Sequence, residues 1–358
     1  MPDGIQTATA TTLPVYGNRQ VWRGPELKRT DDWVYRLQLD EIAELEAAAA
    51  EAMATGRNLT ETARTDFPLP GLAPTLKRIR EEVLHGRGIV LLRGLRVDRL
   101  SHAQTIWMYW ALGSHWGEPC SQNGLGHVLG HVKDLGYDPS GANVRGYHTS
   151  ARLLYHSDRA DVVGLLCFKP SKSGGLSSAV SSTAIWNEMV QRRPDLAAAL
   201  LQPVCRTRYG EIPPGMPAYQ EFSIFNPMPH HIVCSYLGGA IRKGQLLPGA
   251  PRLSSAQIEA IEMFDHLAES PDLRIDMAFE PGDIQLLNNH FILHSRTTFE
   301  DYPEPERRRH LLRLWLACDD GPELPPAYIA SLQGRTASGR PNGVAVPGVP
   351  LHAPMDAE

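Results

Sequence analysis

Residues 280–301 read EPGDIQLLNNHFILHSRTTFED. Pro281-Gly282-Asp283 is a turn signal, and Ile284 to Leu287 is a short apolar run of the kind that forms a buried strand. Two histidines follow, His290 and His294. Their i, i+4 spacing would put both on one face of a helix, as in HExxH zinc sites. No glutamate follows His290, however, and the segment before it reads as strand, so the zinc-protease reading fails. The stretch predicts a sheet protein.

The same texture recurs along the chain. GRGIVLLRGL (86–95), VVGLLCF (162–168), PHHIVCSYL (229–237), IDMAFE (275–280) and RHLLRLWLAC (309–318) are short, apolar and bounded by Gly, Pro or Asp. Helical patterns lie between them. Asp40 to Ala54 is dense in strong helix formers, residues 73–85 carry Leu76, Ile79 and Val83 at helical spacing, and 101–112 opens on an N-cap serine. Residues 183–202 and 254–269 read as longer helical insertions. The expected class is mainly β with helical insertions, a barrel or double-sheet sandwich. Three segments are expected: an N-terminal arm and helix (1–72), a sheet-rich domain (73–320) and a Pro/Gly-rich tail (321–358). The arm and tail are long enough to reach a neighbouring copy, which is compatible with a homo-oligomer.

Composition narrows the function classes. The 358 residues are 42% hydrophobic and 21% charged, as in ordinary soluble domains, and the net charge of −5 offers no electrostatic case for nucleic acid or anionic membrane. Five scattered cysteines form no CxxC pair, which argues against a zinc ribbon or a disulfide framework and for a reducing cytoplasm. No apolar run approaches the roughly 18 residues of a membrane span. A small-molecule partner is expected.

The chemistry begins at LLYHSDRAD (153–161). In a strand, residues two apart share a face, so His156 and Asp158 can grip one metal ion. With a second histidine they form the set of two imidazoles and one carboxylate that leaves open positions on iron(II). His294 is the better third ligand because it lies close to the basic strand RRRHLLRLWLA (307–317), and His290 is read as a hydrogen-bonded histidine nearby. Arg309 and Arg313 share one strand face. An inward arginine needs an anionic partner, and its planar fork suits a carboxylate such as the far end of 2-oxoglutarate.

These segments together resemble the taurine dioxygenase (TauD/TfdA) family of Fe(II)/2-oxoglutarate-dependent oxygenases, the clavaminate synthase-like branch. The resemblance spans roughly residues 80–318. GRGIVLLRGL looks like the family's early core strand, YHSD like its HxD, and Ser173-Gly174-Gly175-Leu176-Ser177 like its GGxT segment. NNHFILHSRTTF and RRRHLLRLWL look like the distal-histidine and arginine segments.

The resemblance implies a double-stranded β-helix (jelly-roll) core and His156, Asp158 and His294 as catalytic iron ligands. It implies 2-oxoglutarate and O2 as co-substrates, consumed with release of succinate and CO2 while the substrate is oxidised, usually hydroxylated. Arg309, Ser177 and Arg313 form the implied co-substrate-binding set. Ser177 stands where the family usually has threonine, and Arg313 matches an arginine that faces the primary substrate in some members. HWGEPCSQNGLGHVLGHVKD (115–134) reads as a lid or pocket segment, and Gln122, Asn123 and Tyr155 are the residues expected to line the substrate pocket. Two alternatives stay open here: a 2-oxoglutarate-independent metal-dependent oxidase or isomerase, and a non-catalytic binding module.

Overall fold

The strands Val162–Lys169 and His310–Ala317 are apolar on both sides because both of their faces are covered. They pair antiparallel at the centre of a seven-stranded sheet. The sheet runs in the order Val34–Arg36, Ile89–Arg93, Ile284–Asn288, Val162–Lys169, His310–Ala317, Glu118–Pro119, and Leu129–Val132 also pairs with His310–Ala317. A second, four-stranded sheet runs Ile275–Met277, Ser177–Ser181, Ile292–Arg296, Leu153–His156. This computed structural model describes residues 12–138, 141 and 144–357. Most of the Thr-rich start of the expected arm (1–11) lies outside the described residues.

Strand alternation sorts the side chains into layers. Val162 and Leu166 join the helices Leu39–Ala54, Ala73–His85 and His102–Trp116 in one apolar cluster, while Val163 and Leu165 point the other way. Between the sheets, Leu91, Val163, Leu287, Ile292, Leu311 and Trp315 pack together. The far face of the small sheet, with Val180 and Leu293, is covered by Ser182–Arg192 and Ser255–Ala268. The layers therefore run helix, sheet, sheet, helix. Burying each large side chain between them contributes roughly 1.5–3 kcal/mol.

Several expectations are corrected. PHHIVCSYL forms a strand only at Ile232–Cys234, outside both main sheets, because Met228 N bonds His231 O and closes a turn around Pro229. The helix expected over 183–202 is broken at Pro194, which supplies no N–H, into Ser182–Arg192 and Pro194–Ala199. The presumed lid at 115–134 is partly sheet: its LGHV run at Leu129–Val132 is a strand hidden in the sequence by Gly130 and His131. The tail folds back on its own chain, with Gly343 N donating to Arg159 O and Val344 N to Ser121 O. All five cysteines are free and buried, and no described helix is long and apolar enough to cross a membrane.

Candidate metal centre

His294 and His156 stand directly opposite each other on the antiparallel strands Ile292–Arg296 and Leu153–His156. Opposed residues project to the same side, here the space between the sheets where Ile292 also points. Their ring centroids are 4.2 Å apart. Asp158 arrives by a different route from the one the sequence suggested. The strand stops at His156, Ser157 N donates to Tyr236 O (2.8 Å) and Asp158 N donates to Asn289 Oδ1 (3.0 Å). This turn, not strand alternation, brings Asp158 to 3.9 Å from His156 Nε2 and 3.6 Å from His294 Nε2. One ligand atom from each of the three residues lies within 4.8 Å of the other two, and no second group of this kind occurs among the described residues.

Neighbours orient the donors. His156 Nδ1 lies 2.8 Å from the Leu154 carbonyl, which can only accept, so Nδ1 carries the proton and Nε2 keeps its lone pair for the cluster. Trp315 Nε1 donates to Asp158 Oδ2 at 2.8 Å. Burial first, then the neighbouring His156, pushes the His294 imidazole down to about 3. Burial alone would raise Asp158. The Arg313 charge, the two neighbouring imidazoles and the Trp315 N–H outweigh it and hold the carboxyl below its usual range. Two imidazoles and one ionised carboxylate on one side of a cavity fit a divalent ion such as iron(II) with positions left open.

A narrow gap of about 40 Å³ between the sheets is bordered by His156, His294, Ser177, Arg309 and Arg313, so the structure brings these five residues together. Arg309 is 4% exposed and its Nη1 is buried without a hydrogen-bond partner. Burial pushes its pKa down to about 10. Gly175, at φ +67°, leaves the guanidinium its room, since a Cβ there would sit 3.2 Å from Arg309 Nε. Ser177 Oγ donates to Gln285 Oε1 at 3.1 Å and can turn to a ligand.

The three expected pocket residues are placed differently. Gln122 is 1% exposed; its Oε1 accepts from Arg313 Nε (2.7 Å) and its Nε2 donates to Arg313 O (2.9 Å), so it supports that arginine instead of facing a substrate. Asn123 is a turn amide whose Oδ1 accepts from Leu125 N and His127 N, and it lines a larger cavity of about 680 Å³ that does not reach the cluster. Tyr155 borders the metal-side cavity, but alternation turns its ring away from His156 into the apolar cluster of Val180 and Leu293. His290 is fully buried, with Nε2 2.7 Å from Asp161 Oδ1, and takes no part in the cluster.

Sequence reasoning missed Trp315, although it lies two positions from Arg313 on the same strand face. It also missed Arg145, Arg159 and Tyr209, which with Arg313, Trp315, His156 and Asp158 border a cavity of about 260 Å³. Only the place of Arg159 directly after Asp158 gave any signal. A larger cavity of about 680 Å³ shares Arg145 and Tyr147 with it but does not include the cluster, and reads as an outer vestibule.

A family profile described as "Taurine catabolism dioxygenase TauD, TfdA family" matches residues 55–315. The FR-33289 synthase of Streptomyces rubellomurinus is 29% identical over 337 residues, covering 92% of this chain and 97% of that protein. The taurine hydroxylase-like protein SAT17 of Stachybotrys chartarum is 28% identical over 83% of this chain and 78% of its own. Among solved structures, asparagine oxygenase in complex with Fe(II), 2S,3S-3-hydroxyasparagine and succinate superposes with a TM-score of 0.61 at 16% identity, over 87% of this chain and 100% of that one. The non-heme iron oxygenase OrfP with Fe and alpha-ketoglutaric acid gives 0.61 at 13% identity, with the same coverage. At these identities the structural likeness speaks for the fold.

Proposed function

The chain belongs to the taurine catabolism dioxygenase TauD/TfdA family, and from that premise we propose that His156, Asp158 and His294 are its iron(II) ligands, with Arg309 and Ser177 receiving the far carboxylate of 2-oxoglutarate. The protein is a non-haem iron(II)- and 2-oxoglutarate-dependent dioxygenase that oxidises a small molecule with release of succinate and CO2. The 2-oxoglutarate-independent alternative is therefore set aside. The observation that carries the ligand assignment is the convergence of three donor atoms within 4.8 Å, on the same gap as Arg309. In this reading the two facing sheets are the halves of a double-stranded β-helix.

Iron(II) and 2-oxoglutarate, when bound, supply the activation of dioxygen by which the substrate carbon is oxidised. The chain's residues bind, orient and shield. Trp315 holds the Asp158 carboxylate in place, and the Leu154 carbonyl fixes the His156 tautomer. Arg309 offers a planar fork to a carboxylate, and Ser177 a hydroxyl beside it. Leu165 and Leu311 border the same gap and would keep water from a co-substrate held there. Gln122 holds Arg313 beside Asp158, where its charge keeps the carboxylate ionised. Five buried free thiols favour a reducing compartment such as the cytoplasm.

The test is an anaerobic titration of metal-free protein with iron(II) and then 2-oxoglutarate, followed by the visible charge-transfer band. A band that forms in the wild type and is lost in His294→Ala and Asp158→Ala supports the assignment. Iron binding without a band would remove Arg309 and Ser177 from the co-substrate site.

A further inference from the structure

The cavity of the metal-binding cluster carries more positive charge than the chain neutralises. Arg159 borders it; Arg206 and Arg208 stand behind that wall, Arg208 meeting Arg159 at Gln333, and the charges of both act on Arg159. Arg206 and Arg208 are 5% and 4% exposed. Arg159 Nη1 donates to Gln333 Oε1 at 2.8 Å, and Arg208 Nη1 donates to the same oxygen at 3.3 Å. Two guanidinium groups thus share one neutral acceptor. Arg206 also has neutral partners, Gln220 Oε1 and Ser235 Oγ. The neighbouring carboxylate, Glu211, is taken up by Arg145 Nη2 (2.5 Å) and Gly124 N (2.8 Å). Among the described residues, none of Arg159, Arg206 and Arg208 forms an ion pair, although burying like charges without counter-charge is costly.

A second observation points to the same wall. Tyr209 is the one described non-glycine residue with positive φ, at +52°. Such strain persists where the surroundings over-determine a position, and it clusters at ligand sites. Tyr209 borders the cavity, its N donates to Thr207 Oγ1, and the Arg145 guanidinium stands 5.8 Å from its ring centroid.

We propose that Arg159, with Arg145 and Tyr209, forms the subsite for a doubly charged oxyanion of the primary substrate, which would place the neighbouring carbon beside the metal cluster. The inference rests on the iron-site reading above, because Arg159 is fixed next to Asp158. A cation would be repelled, a neutral group would leave the guanidinium groups uncompensated, and a single negative charge would offset only part of the excess. Arg159 serves specificity here, and Arg309 remains the anchor of the co-substrate.

The test is calorimetric titration of methylphosphonate and of methanesulfonate, at a mildly alkaline pH where the first is a dianion, into the anaerobic iron(II)–2-oxoglutarate protein. Methylphosphonate is expected to bind about tenfold or more tighter than methanesulfonate, and to weaken about tenfold or more in Arg159→Met. Tyr209→Phe, which keeps the ring, is expected to weaken it about fivefold, and it carries the test if Arg159→Met does not fold. Unchanged affinity in the folded variants, equal binding of the two anions, or loss of the 2-oxoglutarate band on adding methylphosphonate would overturn the proposal. Failure of that band to form in the wild type would instead sink the iron reading, and the same titration of metal-free protein would still report on the subsite.

Discussion

Trp315 Nε1 donates a 2.8 Å hydrogen bond to Asp158 Oδ2, across a large separation in sequence. The bond exists because Trp315 lies on the face of the His310–Ala317 strand that looks between the sheets, as Leu311 also does. It leaves Asp158 Oδ1 on the His156 side, 3.9 Å from Nε2. Outer partners of metal ligands typically affect metal affinity or activity by about 10–100-fold. Trp315→Phe keeps most of the packing and removes only the donor. We expect iron(II) affinity to fall within that range in a competition titration, with the fold intact by circular dichroism. Unchanged affinity would show that the turn at Ser157 suffices to place the carboxylate.

Arg309 carries a second prediction. Its Nη1 is buried and unpaired, and its guanidinium lies 5.1 Å from the Phe299 ring centroid. Lysine can supply the charge at this position but not the fork. Arg309→Lys should raise the 2-oxoglutarate concentration needed for the charge-transfer band by about tenfold or more, at unchanged iron(II) affinity. A parallel loss of iron binding would mean that Arg309 acts on the cluster as a whole.

The legible parts of this chain were those governed by short periodicities. His294 was readable from its closeness to the basic strand, and Arg309 and Arg313 from a spacing that puts both on one face, although the strand itself begins at His310; the helices expected at 40–54 and 101–112 followed from propensity and a serine cap and run over 39–54 and 102–116. What stayed hidden depends on chain geometry between elements. The approach of Asp158 is made by the turn that Asn289 caps, and Gln122 meets Arg313 only because Leu129–Val132 joins the sheet. The oxyanion wall assembles Arg145, Arg159 and Tyr209 from three loops, so no local spacing announces it.

The Pro/Gly-rich tail yields a stability prediction, because it delivers Arg340 into the interior. Arg340 forms a buried ion pair with Asp161, Nε donating to Oδ2 at 3.0 Å, and Asp161 also accepts from Cys318 N and contacts His290 Nε2 at 2.7 Å. Removing one partner of a buried pair leaves an uncompensated charge and costs about 3–5 kcal/mol. Arg340→Met should lose that much in urea denaturation. Adding Asp161→Asn should recover part of the loss, because it removes the stranded charge. An additive double variant would mean that the two residues do not communicate.

The tail also depends on histidine ionisation. His131 Nε2 lies 2.9 Å from the Pro354 carbonyl and therefore carries a proton, which leaves Nδ1 to accept from His310 Nε2 at 2.8 Å. A second proton on His131 would occupy Nδ1 and remove that acceptor, and one on His310 would put a buried charge beside it. Burial first, then the charges of His131, His102, Lys133 and Lys169, push His310 down to about 2, and burial also lowers His131. An unfolded histidine titrates near about 6.5. The folded state therefore binds fewer protons, its stability is full above that value, and it declines as pH falls below it. The loss approaches about 1.4 kcal/mol per pH unit for each such group. His294 and His148 are depressed in the same direction, so the wild-type slope sums several histidines. His310→Asn keeps a donor but does not titrate, and it should flatten the slope of stability between about pH 6 and 5 by roughly one group's share. Urea denaturation of both proteins across that range reads the difference, and parallel slopes would show that the His131–His310 pair is not part of the acid sensitivity.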